Sequence, residues 1–275
     1  MTKLLHASLA LCLLSASAAQ ASAVTVTSVS TDPALNTWYR ANLRDVSTGY
    51  SSQTSADITG AQARSGNGSV AMSLTNSSGK ADYVYTWGYM GGRTLGNLST
   101  LGFDWMRAGG GSAAAHLQPA MRLLYDADGN AATTNDRGYL IWEQHYQGVA
   151  TPTDTWVSSD ILDGYFWQRK FSPGTTVEDF DITLDGWAAG TVPNGAVYDV
   201  LSASTAILGI EFGIGSGWNG SFSGYVDNVR FGFGGAQATT FNFELAQADV
   251  PEPASMILLG LGALGLGAAR RRKQK

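Results

Sequence analysis

Cysteine is nearly absent. The 275-residue chain has one, Cys12, inside an apolar run near its start. Everything beyond that run can form no disulfide and must be held by its core alone, even in an oxidising compartment. Histidine is almost as scarce: past the opening run only His116 and His145 remain. No His-containing zinc spacing occurs. No G-x-S-x-G string is present, so a serine hydrolase would lack its nucleophile elbow. Positive charge is scarce in the middle of the chain. Six of the 17 basic residues (Lys3, Arg270, Arg271, Arg272, Lys273 and Lys275) sit at the two ends. Between Val24 and Pro253, 11 basic residues therefore face all 22 acidic ones, a balance near −11. Such a surface repels nucleic acid and anionic lipid and attracts cations. No basic–aromatic patch offsets it, so no nucleic-acid partner is expected.

The most specific signals lie at the ends. Lys3 precedes the apolar run LLHASLALCLL, and the small residues SASAAQASA follow. Ala19-Gln20-Ala21 and Ala21-Ser22-Ala23 both fit a secretory cleavage site. Residues 1–23 are expected to form a signal-peptide helix, read by the Sec machinery and cut by signal peptidase after Ala23. A lipoprotein signal is the rival, but Leu11 precedes Cys12 where a small residue is needed.

At the other end stand Val250-Pro251-Glu252-Pro253, an uncharged run from Ala254 to Ala269, and the cluster Arg270-Arg271-Arg272-Lys273. The two prolines keep Glu252 on an extended segment that an enzyme can grip. The 16 uncharged residues reach roughly 24 Å as a helix, short of a ~30 Å hydrocarbon core. The basic cluster behind them acts as a stop-transfer signal. This order of parts resembles the PEP-CTERM sorting tail of exported bacterial proteins. The resemblance implies that an exosortase processes the tail at or near Pro251-Glu252-Pro253. It covers about a tenth of the chain. The expected organisation is a signal peptide over 1–23, a β-sandwich over 24–245 and a linker with the sorting motif over 246–253. A single transmembrane helix over 254–269 and a basic cytoplasmic tail over 270–275 complete it. The protein is expected to sit in the inner membrane before processing and at the cell surface or outside the cell afterwards.

The body reads as all-β. Short runs of period-two character recur between Gly, Asn, Asp and Ser. Strands are expected over 24–29, 69–74, 83–90, 98–107, 117–125, 139–146, 165–171, 206–214, 222–233 and 240–245. Their number and spacing favour a jelly-roll-like β-sandwich. Val177, Phe180, Leu184 and Trp187 fall at helical spacing and predict a short helix within 177–189. Residues 204–209 fit either a helix or the start of a strand. In the run Phe222–Phe233, strict alternation places Tyr225, Asp227, Val229, Phe231 and Phe233 on one face. Asp227 would then share an apolar face and need a partner or a metal. The string GYVDNVRFGF resembles the closing strand of extracellular jelly-roll modules, carbohydrate-binding ones among them. That resemblance implies a structural calcium ligand at Asp227. The longer pattern from LIWEQHYQG to the closing strand is similar to secreted β-sandwich proteins in general.

Three groups of residues are candidates for chemistry. Asp126, Asp128, Asn130 and Asp136 lie in one loop, with oxygen ligands at alternating positions as calcium requires. The EF-hand pattern fails, because Ala131 and Arg137 stand where Gly and Glu are needed. These residues are either calcium ligands or ordinary turn residues. All eight tryptophans lie in the body. Rings stack on the C–H faces of sugars, yet core packing uses them just as freely. Tyr83, Tyr85, Trp87 and Tyr89 form a same-face stripe that fits either use. Trp218, in a Gly-rich loop, is the candidate for a glycan contact. For catalysis, Glu143 beside Trp142 is the one carboxylate placed to act on a glycoside, but no partner is visible in register. Glu178-Asp179-Phe180-Asp181 does not supply the E-x-D-x-x-E string of laminarinase-like sandwiches. The leading reading is a non-enzymatic exported β-sandwich protein with extracellular polysaccharide as candidate ligand. The alternative is a polysaccharide-active enzyme, a glycoside hydrolase or lyase, on the same sandwich.

Overall fold

The computed structural model describes residues 22–41, 54–76, 79–172, 174, 176–177, 179–191 and 198–247. The strands in chain order are β1 (Ser22–Val26), β2 (Trp38–Ala41), β3 (Thr54–Thr59), β4 (Ser69–Leu74), β5 (Lys80–Thr86), β6 (Leu98–Arg107) and β7 (Ala120–Asp126). They continue with β8 (Arg137–Trp142), β9 (Val157–Asp160), β10 (Trp167–Lys170), β11 (Thr176–Val177), β12 (Ala206–Gly215), β13 (Phe222–Phe233) and β14 (Thr239–Phe243). Among the described residues one α-helix, α1 (Leu184–Ala188), and two 3-10 turns, at Leu95–Asn97 and Gln144–Gln147, interrupt them. The chain folds as a β-sandwich of two sheets, as its alternating pattern implies.

In the first sheet, β13 is the spine. One edge pairs with β6, which carries β9 outside it. The other edge is shared: β4 takes Phe222–Val226 and β14 takes Val229–Phe231. Outside those lie β3 and β1, and β1 runs parallel to β14. The second sheet has the order β11-β10-β8-β7-β12-β5-β2, antiparallel throughout. The core between the sheets is aromatic. Trp38 of β2 meets Phe241 of β14 edge-on at 5.4 Å, and Phe103 of β6 meets Trp142 of β8 at 5.6 Å. Trp87 and Phe231 lie 4.8 Å apart. Such ring pairs contribute about 0.5–1.5 kcal/mol each beyond their burial. They do the holding that disulfides do in cysteine-rich exported domains.

Some expectations are corrected, and readings that stood open are resolved. The helix expected within 177–189 shrinks to α1, started by Thr183, whose side chain accepts from the Gly186 backbone N–H. Val177 belongs instead to β11, paired with Gln168. Of the two readings open for residues 204–209, the strand is the one formed, with Ala206 opening β12. The stripe Tyr83–Tyr85–Trp87–Tyr89 is mainly core: Tyr83 and Trp87 are buried, Tyr85 packs against them, and only Tyr89 is exposed. The alternation in β13 also breaks. Asn228 has a φ of 49°, and the register against β6 slips between Asp227 and Arg230. This bulge shifts parity by one. Phe222 and Val226 face the core before it, Val229 and Phe231 after it. Tyr225 and Asp227 therefore do not share a face with Val229 and Phe231.

β1 begins at Ser22, two residues ahead of the expected mature start. The signal-peptide residues 1–21 lie outside the described residues, as do 248–275, which carry the sorting motif, the expected transmembrane helix and the basic tail. Among the described residues, no helix is long and apolar enough to cross a membrane.

Candidate functional site: a groove on the outer face of the second sheet

The side chains of β7, β8, β10 and β12 that alternate with the core residues point to the opposite, outer face of the second sheet. Paired register lines up Glu211, Arg122, Ile141 and Trp167 in one row across four strands. Beside this row the sheet carries small residues: Gly213 faces both Asp82 and Ala120. A Cβ on Gly213 would fall inside the Asp82 carboxylate, so glycine is required for that carboxylate to lie across the strand. The result is a groove of about 310 Å³. Its aromatic lining comes from Tyr139 (β8), Trp167 and Phe171 (in and after β10) and Trp218 (after β12).

The floor is a buried ionic network. Arg122 Nη1 donates to Asp82 Oδ1 at 2.6 Å and to Glu211 Oε1 at 2.5 Å. Lys80 bonds the other Asp82 oxygen. Tyr139 donates its hydroxyl to Glu211 Oε2 at 2.6 Å. Asp82, Glu211 and Arg122 are almost wholly buried although they lie on the outer face. Burial raises the Glu211 carboxyl above its ordinary range, and the nearby Asp82 charge raises it further. Burial pulls Arg122 down, but Asp82 and Glu211 outweigh it and hold the guanidinium firmly charged. A network satisfied in this way fixes side-chain positions.

The walls are more adaptable. Trp218 is half-buried, packed edge-on against Phe222 at 4.9 Å. Trp167 is also half-buried, and its indole N–H donates to Glu143 Oε2 at 3.1 Å. Phe171, 44% exposed, packs edge-on against Tyr139 at 4.8 Å. Burial raises the Glu143 carboxyl, against the pull of the Trp167 hydrogen bond and Arg122. Among the described residues lining the groove, Glu143 brings the one carboxylate, and Lys80, Arg122 and Arg169 bring positive charge.

Sequence reading found Trp218 and Glu143 and missed Trp167, Tyr139, Phe171 and the ionic floor. Trp167, Arg169 and Phe171 do alternate along β10, and that period was the available signal. Five tryptophans, at 38, 87, 105, 142 and 187, are buried in the core. Trp156, Trp167 and Trp218 are half-buried.

The metal candidates divide. Asp126, Asp128 and Asp136 converge at the β7–β8 loop, each with one oxygen within 4.8 Å of the others. Asn130 lies in the same loop, but its side-chain oxygen accepts from the Ala132 backbone N–H. Asp227 is in the other sheet. It sits where the edge of β13 changes partner from β4 to β14, which leaves backbone donors without ladder acceptors. Its carboxylate accepts from Phe243 N at 2.9 Å and Ser65 N at 3.2 Å. Burial pushes this carboxyl up to about 6. His116 and His145 are both exposed, with ring centroids 4.3 Å apart and planes tilted by 32°.

Comparison with known proteins adds one firm match. The model of the PEP-CTERM protein-sorting motif matches residues 249–273. No curated protein matches the chain. Among solved structures, a family 11 carbohydrate-binding module from Clostridium thermocellum, in complex with a β-1,3-1,4-mixed-linked tetrasaccharide, is 14% identical. The match covers 78% of this chain and 94% of that one, with a TM-score of 0.35, too low to support an argument about ligand. The chain carries a PEP-CTERM sorting motif at residues 249–273 and, with it, the mark of an exported protein.

Proposed function

We propose that the exported protein binds extracellular polysaccharide along the groove of the second sheet, without catalysing its cleavage. The observation that carries this reading is that two half-buried tryptophans line one groove over a buried ionic network. Trp167 comes from β10 and Trp218 from the loop after β12, with β8 and β7 between them. Ring faces supply stacking surface for sugar C–H groups, while Lys80, Glu143 and Arg169 supply hydrogen bonds at the rim. The floor charges are already paired, so little reorganisation accompanies binding. The sorting motif supports processing by an exosortase, with the groove then displayed at the surface or released. Sec export, signal peptidase cleavage and a temporary anchor through residues 254–269 complete that route.

Affinity electrophoresis of the full chain through gels containing neutral and acidic polysaccharides tests the proposal. Retardation by at least one polysaccharide is expected, with loss in Trp167→Ala and Trp218→Ala variants that keep the native circular dichroism. Equal mobility in every gel would overturn it.

A second reading has one observation in its favour. Glu143 sits in the groove with a raised carboxyl, as a general acid requires. A hydrolase or lyase acting there would release reducing or unsaturated ends, and Glu143→Gln would abolish the release without abolishing binding.

A further inference from the structure

We infer that Asp126, Asp128 and Asp136 form a calcium site that clamps the hairpin between β7 and β8. β7 ends at Asp126, opposite Arg137 at the start of β8. The loop between them brings one oxygen from each of three carboxylates within 4.8 Å of the others. Oxygens bound to one calcium at about 2.4 Å can lie no more than about 4.8 Å apart, a limit that all three meet, and closure by a few tenths of an ångström brings them onto one ion.

An acidic cluster alone would not make a site. The independent observation is that two of its oxygens are buried without a donor. Asp126 is fully buried, and its Oδ1 has no hydrogen-bond partner. Asp136 Oδ1 is likewise enclosed and without a partner. The other Asp126 oxygen is occupied, by Tyr89 Oη at 2.5 Å and Arg137 Nε at 2.8 Å. A buried carboxylate oxygen left without a donor is destabilising, and a cation at this place removes the deficit.

Charge and ligand type agree. Three carboxylates beside one guanidinium leave two negative charges, which a divalent cation neutralises. The cluster is all oxygen, with no histidine or cysteine, which favours a hard cation over zinc or copper. A depression of about 280 Å³, lined by Asp128, Asp136 and Asp199, opens onto the carboxylates and gives water a path to complete the coordination. An ion here would fasten a ten-residue loop in a protein whose body has no cysteine.

The site is tested on the mature protein purified after export. In EDTA followed by calcium at a hundredfold excess over Kd, the melting midpoint is expected to rise by about 5–10 °C. Terbium in place of calcium should luminesce on excitation of tyrosine, because the Tyr89 hydroxyl bonds Asp126 directly. Asp128→Asn and Asp136→Asn keep the shape of the loop, and each should weaken terbium binding at least tenfold. Asp126→Asn is unsuitable alone, since its buried partners make misfolding an expected result. The inference is overturned by a folded protein that gives no calcium shift and no terbium signal. It is equally overturned if both loop variants retain the wild-type response, which would place the ion elsewhere.

Discussion

Replacing Arg122 with leucine removes the cation that bonds both floor carboxylates. Two short charge-assisted bonds disappear, at 2.6 Å to Asp82 and 2.5 Å to Glu211. The Arg122 side chain is only 7% exposed, so solvent cannot take its place. Breaking a buried ion pair from one side is destabilising by about 3–5 kcal/mol. Asp82 keeps Lys80, whereas Glu211 keeps only the Tyr139 hydroxyl among its bonded partners. The lower end of that range, about 3 kcal/mol, is therefore expected. For a domain of this size that lowers the melting midpoint by roughly 6–12 °C. The deficit should depend on pH with a definite sign. Burial already raises the folded-state pKa of Glu211 above its unfolded value, and losing Arg122 raises it further. A carboxyl raised in this way favours the fold when protonated and opposes it as pH climbs through the folded pKa. The Arg122→Leu deficit is therefore largest at pH 7 and above and shrinks towards pH 5. Urea unfolding at both pH values measures it, with Glu211→Gln added to the Arg122→Leu background as a check. That second change should recover part of the loss at pH 7, because it removes the uncompensated charge. A deficit below about 1 kcal/mol at pH 7, or one that grows on acidification, would refute the account of the floor.

Three further outcomes are expected. Trp187→Ala should destabilise by about 3–5 kcal/mol in urea melts, because Trp187 is fully buried and its indole N–H is bonded to Phe166 O at 2.9 Å. Asn228→Val should destabilise by about 2 kcal/mol, since a β-branched residue is strained at φ 49° and the bonds to Ser65 and Asp104 vanish, while Asn228→Gly should lose less. Glu252→Ala should leave the tail unprocessed, seen by mass spectrometry as a chain that retains residues 254–275.

The parts of this fold that were legible are strands whose two ends are clearly marked. β4, β6 and β13 were bounded correctly because Ser69–Leu74, Leu98–Arg107 and Phe222–Phe233 are framed by turn residues. β3 and β9 were missed because TSADIT and VSSD are mostly polar, as suits strands at the edges of a sheet. β2 and β11 are only four and two residues long, too short for a period to register. The face of Asp227 was misread because a single residue, Asn228, inserts a bulge that period-two reasoning cannot anticipate. The loop carboxylates were readable because they are close in sequence. The groove was not, because its parts span Lys80 to Trp218 and meet only through the pairing of β5, β12, β7, β8 and β10. Trp218 was singled out by its glycine-rich flanks, whereas Arg122 and Glu211 look like ordinary strand charges until the register places them side by side.

The most direct test of the central claim is tryptophan fluorescence of the mature exported protein, titrated with polysaccharide extracted from the matrix of the cells that secrete it. The account predicts a saturable change in emission for the wild type, reduced in Trp218→Phe and lost when Trp167→Ala and Trp218→Ala are combined. An unchanged response in that folded double variant, or no response at all in the wild type, would contradict it.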